Sequence, residues 1–292
     1  MNDRYGVDPN TAAAVDDFAQ LLRHFGAEHG RFILEFPPNW HSEVKRYLDA
    51  ESIGDVKRLK LREQWLHTAK RSLLPTRTRY LDAHPWAKNA ETLENPSGRI
   101  GPPGSRPPCI ALKDLLIDHD ALPDCRGGHI RRTPTAYADV ARPMMQISHK
   151  VVLVDPYFAF HELSKASGSV RRSDRYANSF KSLIQTAHAE RKVEVFKLMV
   201  SRARATLLGE DQFVADYHAI RNDVCSAASD LQVEHGFLDD KFGQHARYLL
   251  GNDCGLHFDH GFDTPSNKKD DSSQHVQWIG RAALMPLLKR FV

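Results

Sequence analysis

The densest set of chemically capable side chains lies in residues 244–263, QHARYLLGNDCGLHFDHGFD. His245-x-Arg247 precedes an apolar run from Tyr248 to Leu250, a Gly- and Asn-containing turn cluster follows, and Leu256-His257-Phe258-Asp259 closes the pattern. Two β-prone segments around such a loop predict a hairpin. Its strand ends place His245 and Arg247 opposite the segment from Asp259 to Asp263, so an imidazole, a guanidinium and carboxylates converge on one small surface. That combination handles anions. Register decides which side chains share a face. Pairing Arg247 with Asp259 puts His245 beside Gly261, whereas a slip by one residue turns Asp259 away and brings His260 and Phe262 in its place. Both registers stay open, as does an ordinary hairpin with an exposed Arg-Asp pair. Alternation sets His257 and Asp259 on one face and His260 on the other, which argues against a metal there. No metal or other cofactor is expected.

The elements that must position this stretch are legible around it. Thr133-Pro134 signals a helix start, with Tyr137, Val140, Met144 and Ile147 in helical period and a kink expected at Pro143. Lys150 to Phe158, KVVLVDPYF, reads as a strand buried on both faces, and its carboxyl end delivers Asp155-Pro156-Tyr157. In open α/β sheets such ends are where sites are built. A helix over 176–189, a strand over 193–200, a helix over 211–230, a strand over 231–237, a strand over 276–279 and a helix over 281–291 complete the half. The pattern is α/β or α+β around a central sheet.

Upstream, a helix is predicted over 9–26, a short strand at 31–36, and a longer helix over 42–74, broken near Gly54, with Ile53, Val56, Leu59, Leu66, Ala69 and Leu73 on one side. From Lys57 to Arg79 there are eight Lys or Arg against the single acid Glu63. Among them Lys57, Arg58, Lys60, Arg62, Lys70 and Arg71 could track a phosphate backbone, or simply form a solvated helix face. Arg171 and Arg172 make a second basic cluster. Residues 95–108 carry five prolines and three glycines, which predicts a loop and excludes a helix or a central strand. Three regions follow: a mainly helical 1–94, Pro/Gly-rich linker and loops over 95–130, and an α/β domain over 131–292.

At 292 residues the chain can bury a sizeable core. A net charge of +3 gives no global field toward nucleic acid, so any anion site must arise from local clustering. No apolar run reaches membrane-span length and the N-terminus lacks signal-peptide order, so the default location is cytoplasmic. Cys109, Cys125, Cys225 and Cys254 lack CxxC spacing, which predicts free thiols. GxxxxGK[ST] and GxSxG motifs are absent.

Together, the 134–148 helix, VVLVDPYF and HARYLL…GLHFDHGFD resemble the phospholipase D-like fold. The similarity is to its divergent single-copy form, found at the C-terminus of microtubule-interacting and transport domain proteins and in bacterial relatives often encoded near defence genes. It covers roughly residues 130–292 and rests on Asp155 to Tyr157, His245-Ala246-Arg247, Gly255 and Gly261-Phe262-Asp263. The resemblance implies a mixed sheet flanked by helices and metal-independent phosphodiester chemistry. His245 would attack phosphorus, Arg247 would clamp the phosphoryl oxygens with Asp259 beside them, and Asp155, Tyr157, Gly261 and Asp263 would support the site. The position where active members hold Asp is Asn252, and a second His-x-Lys motif is absent. A complete site would therefore need a homodimer, as in half-sized members. The expected function is a phosphodiesterase or nuclease acting on nucleic acid in antiviral defence. Its alternative is an inactive binding module, an accessory subunit for nucleic acid, an acidic lipid surface or a partner protein.

Overall fold

The computed structural model describes residues 2–13, 15–50, 54–102, 109–117, 126–164, 167–225, 229–238, 247–265 and 272–291. The chain divides into two compact units, Met1–Arg126 and Gly127–Val292. Parallel and antiparallel sheets with flanking helices give the mixed α/β (α+β) class expected. Among the described residues, no helix is long and apolar enough to cross a membrane.

The first unit is built on a five-stranded parallel sheet. Its strands β1 (Asp3–Val7), β2 (Arg31–Glu35), β3 (Leu73–Pro75), β4 (Gly98–Gly101) and β5 (Ile110–Ala111) lie in the order β3-β2-β1-β4-β5. Helices α1 (Val15–His24), α2 (Trp40–Ala50), α3 (Asp55–Ser72) and α4 (Trp86–Ala90) lie between the strands, and α5 (Leu112–Ile117) follows β5. The sequence indicates only β2 of this sheet. Helix still outweighs strand, but a mainly helical description of residues 1–94 misses the sheet that organises them. The expected 95–130 linker is also revised, because β4 lies between β1 and β5. Four residues suffice for that strand, with Pro96 and Pro102 just outside it, and a Cβ on Gly98 would meet the Tyr5 ring at 3.0 Å.

The break at Gly54 separates α2 from α3 as expected, but α3 is rotated from the expected face. It buries Leu61 and Trp65 and leaves Val56, Leu59 and Leu66 exposed. Trp65 anchors this orientation, since its ring is buried 5.6 Å from Phe18 and 5.3 Å from Trp40.

The second unit has a seven-stranded mixed sheet. Its strands are β6 (Gly127–Arg131), β7 (Lys150–Val154), β10 (Val195–Ser201), β11 (Gln232–Leu238), β12 (Tyr248–Leu250), β13 (Gly255–Phe258) and β14 (Ser273–Ile279), in the order β11-β10-β7-β12-β13-β14-β6. β7, β10 and β11 are parallel, and the rest pair antiparallel. A small ribbon, β8 (His161–Leu163) with β9 (Val170–Arg172), lies beyond β7. The helices are α6 (Pro134–Ile147), α7 (Asp174–Glu190), α8 (Arg202–Ala205), α9 (Glu210–Val224) and α10 (Arg281–Phe291). Thr133 caps α6 by accepting the Ala136 amide at 3.2 Å, and the helix runs through Pro143. Both faces of the sheet are covered, which accounts for the continuous apolar run of β7. Val152, Val154 and Leu250 pack toward Leu284 and Phe291 of α10, while Phe196 meets Phe180 of α7 on the aromatic side.

Candidate functional site

Asp155 follows β7 directly, and β12 runs antiparallel beside β7 with Tyr248 opposite Val154. Continuing that register by one residue sets Arg247 opposite Asp155. β12 and β13 form the expected hairpin, with Tyr248 opposite His257 and Leu250 opposite Gly255. The Phe258 amide donates to the Arg247 carbonyl at 2.9 Å, so Arg247 faces Phe258 and not Asp259. Asp259 is exposed, and its backbone carbonyl, rather than its carboxylate, accepts from Arg247 Nη1 at 2.9 Å. The register is the one fixed by Leu249 and Leu256, which are fully buried as a facing pair.

Asp155 is fully buried. Oδ1 accepts the Tyr157 amide at 2.9 Å, which makes the Asp-Pro-Tyr turn, and Oδ2 accepts the Phe262 amide at 3.2 Å. Burial pushes its carboxyl up to about 6, against the pull of those two hydrogen bonds and the Arg247 charge. Gly261 fits between these groups because it has no side chain. Its φ is +89°, and a Cβ there would sit 2.6 Å from Asp155 Oδ2 and 3.0 Å from Arg247 Cδ.

The Arg247 guanidinium lies over the Tyr157 ring at 4.9 Å. Its Nε is buried with no hydrogen-bond partner among the described residues. A second guanidinium, Arg204 of α8, approaches the same ring at 5.5 Å. The strand that precedes it, β10, ends beside β7 in parallel, so Ser201-Arg-Ala-Arg204 is delivered to the end of the sheet where Asp155 lies. Neither arginine forms an ion pair with a carboxylate among the described residues. Arg204 escapes the sequence reading, although a basic pair just after a buried parallel strand is a usable signal.

Asp263 belongs to a neighbouring, structural network. Its carboxylate is held between Arg132 and Arg175, and its carbonyl accepts the Tyr137 hydroxyl at 2.8 Å. Gln274, also buried, donates to that hydroxyl and to the Gly261 carbonyl, both at 2.9 Å. Burial raises the Tyr137 hydroxyl well above its usual range, so it stays a donor. Asp263 thus ties the β13 exit to α6 and α7 and is not available to a ligand. Asn252 is likewise structural. Its Oδ1 accepts the His149 and Lys150 amides at 2.7 and 3.0 Å, fastening the start of β7 to the hairpin turn. Asp253 pairs with Arg281 at 2.6 Å.

The structure therefore brings Asp155, Tyr157, Arg247 and Gly261 together. His245 lies outside the described residues, as does Cys125. His257 packs its ring 5.1 Å from Tyr248, while Asp259 and His260 are exposed. Arg171 pairs with Glu162 across the small ribbon, and Arg172 is exposed. In the first unit, Arg62 pairs with Asp49, Arg71 with Glu28 and Arg58 with Asp55, while Lys57, Lys60 and Lys70 are exposed on α3.

No family model matches the sequence, and neither does any curated protein. Among solved structures, the chain is similar to that of TrmBL2, an archaeal chromatin protein whose structure "shows a novel mode of DNA binding". The identity is 13%, over 86% of this chain and 78% of that one, with a TM-score of 0.28. A likeness at that level carries no argument about this chain.

Proposed function

We propose that residues 127–292 form a phospholipase D-like unit that grips a phosphodiester of nucleic acid, with His245 as the nucleophile that attacks phosphorus. The supporting observation is the pair of guanidiniums, Arg247 and Arg204, on the one Tyr157 ring at the end of the sheet. Neither guanidinium forms an ion pair with a carboxylate among the described residues, and guanidinium geometry suits phosphoryl oxygens. Cleavage would proceed by forming a His245–phosphorus bond as the P–O bond to the leaving group breaks. The proton for that leaving oxygen would come from an acid supplied by a second copy of the chain. An antiviral setting rests on the family resemblance and belongs to the same proposal.

Asn252 favours a second reading, a non-catalytic binding module. It stands where active members hold Asp, and its side chain is committed to two backbone amides. Incubation of labelled single- and double-stranded DNA and RNA with the protein, in chelator, separates the two. Metal-free cleavage that is lost in His245→Ala supports the nuclease reading. Binding on a native gel without cleavage supports the module, and absence of both overturns phosphodiester recognition.

A further inference from the structure

The first unit contains a cleft unconnected with phosphodiester chemistry. Strand order β3-β2-β1-β4-β5 means that the chain leaves β1 toward one side of the sheet and occupies the other side with β4 and β5. The loops that leave the carboxyl ends of β1, β2 and β3 therefore meet on one side of the sheet, the kind of strand end at which α/β proteins build sites. Asp8 stands there, one residue past β1, with its amide bonded to the Ile100 carbonyl of β4 at 2.8 Å. A cleft of about 230 Å³ opens at this end, lined by Asp8, Glu43, Tyr47, Tyr80, Asp82 and Trp86 together with Asn and Pro residues.

Three carboxylates and three aromatic rings line it, and among the described residues no Lys or Arg does. Asp8 is only 8% exposed. Its Oδ1 accepts both the backbone and the side-chain N–H of Asn10 at 2.9 Å, while Oδ2 has no hydrogen-bond partner among the described residues. Burial raises the Asp8 carboxyl, against the pull of the two Asn10 hydrogen bonds. Glu43 is partly neutralised by Arg46 at 2.5 Å, which leaves Asp8 and Asp82 as the dominant charges. Such a lining repels phosphates and other anions. Aromatic faces next to carboxylates attract an ammonium group through both Coulomb and cation–π terms. Among the described residues no group of His, Cys, Asp or Glu is arranged to hold a metal ion, so an organic cation fits better than a divalent one. The volume lies below the roughly 300 Å³ at which drug-sized sites begin, which limits the ligand to a small molecule.

The Tyr47 ring already lies under the Arg46 guanidinium at 5.1 Å. We propose that this cleft binds a small organic cation, its ammonium head held between Asp8 and the Tyr80 and Trp86 rings. The test is calorimetric titration of the full-length chain with choline, with putrescine, and with 3,3-dimethylbutan-1-ol, the uncharged isostere of choline. Adenosine serves as a neutral ring-bearing comparison. At least one cation should bind, and the uncharged isostere at least tenfold more weakly than choline if choline is that cation. Asp8→Asn should weaken binding about tenfold. Because Asp8 is buried, Asp82→Asn, an exposed change that leaves the fold intact, provides a second reading and should weaken binding a few-fold. Binding of neither cation, equal binding of choline and its isostere, adenosine binding in place of the cations, or wild-type affinity in both variants overturns the proposal.

Discussion

Replacing one hydrogen of Gly261 by a methyl group would put a carbon 2.6 Å from Asp155 Oδ2, on a residue whose φ is +89°. Gly261→Ala should therefore cost roughly 1–3 kcal/mol in chemical denaturation. An unchanged midpoint would show that Gly261 does not seal the site. Asp155 gives a pH signature. Its folded pKa, about 6, lies above the ordinary carboxyl value of 3.8, so the folded state binds the proton more tightly. That contribution is full below about pH 4 and is lost as pH rises through 6, which amounts to roughly 1–3 kcal/mol. The stability difference between wild type and Asp155→Asn should favour wild type most at acidic pH and shift against it on the way to neutrality. A difference that is flat from pH 4 to 7 would contradict the buried, titrating carboxyl.

The hairpin β12–β13 shows what Asn252 does for an element. Removing its two accepted amide bonds in Asn252→Ala should destabilise the second unit by about 1–3 kcal/mol. Asn252→Asp keeps an acceptor in place and should stay within about 0.5 kcal/mol of wild type. Equal losses in both variants would place the role elsewhere in the side chain. Much of this half was legible in the sequence. The Thr133-Pro134 start, the apolar run of β7, the Asp-Pro-Tyr turn and the hairpin all carry local signals, a cap, a period and a turn chemistry. Register was not legible, since Arg247 faces Phe258 only because Leu249 and Leu256 must both be buried. Nor were the short strands of the first unit. β4 and β5 have four and two residues, too few for a period, and their pairing comes from long-range contacts. Likewise Arg204, which reaches Tyr157 only because β10 lies parallel to β7, has no local mark of its partner.

The two candidate sites differ in charge: carboxylates line the cleft of the first unit, while two guanidiniums lie on the Tyr157 ring of the second, with the Asp155 carboxyl buried beside Arg247. The two proposals give cations and phosphodiesters to different units, so Asp8→Asn should leave nucleic-acid affinity unchanged. The exposed lysines of α3, Lys57, Lys60 and Lys70, extend the basic surface of the first unit. If they contact the same nucleic acid, replacing all three with Ala should lower the slope of log affinity against log salt by about 2 for a single strand. An unchanged slope would confine phosphate contacts to other residues.

The proposed function turns on whether Arg247 grips phosphate. The most direct measurement is the affinity of a short fluorescent single-stranded DNA for wild type and Arg247→Ala at one fixed salt concentration, with the fold of each checked by circular dichroism. Binding at least tenfold weaker is expected in the variant, with a smaller loss in Arg204→Ala. Equal affinity of folded Arg247→Ala and wild type would contradict the proposal.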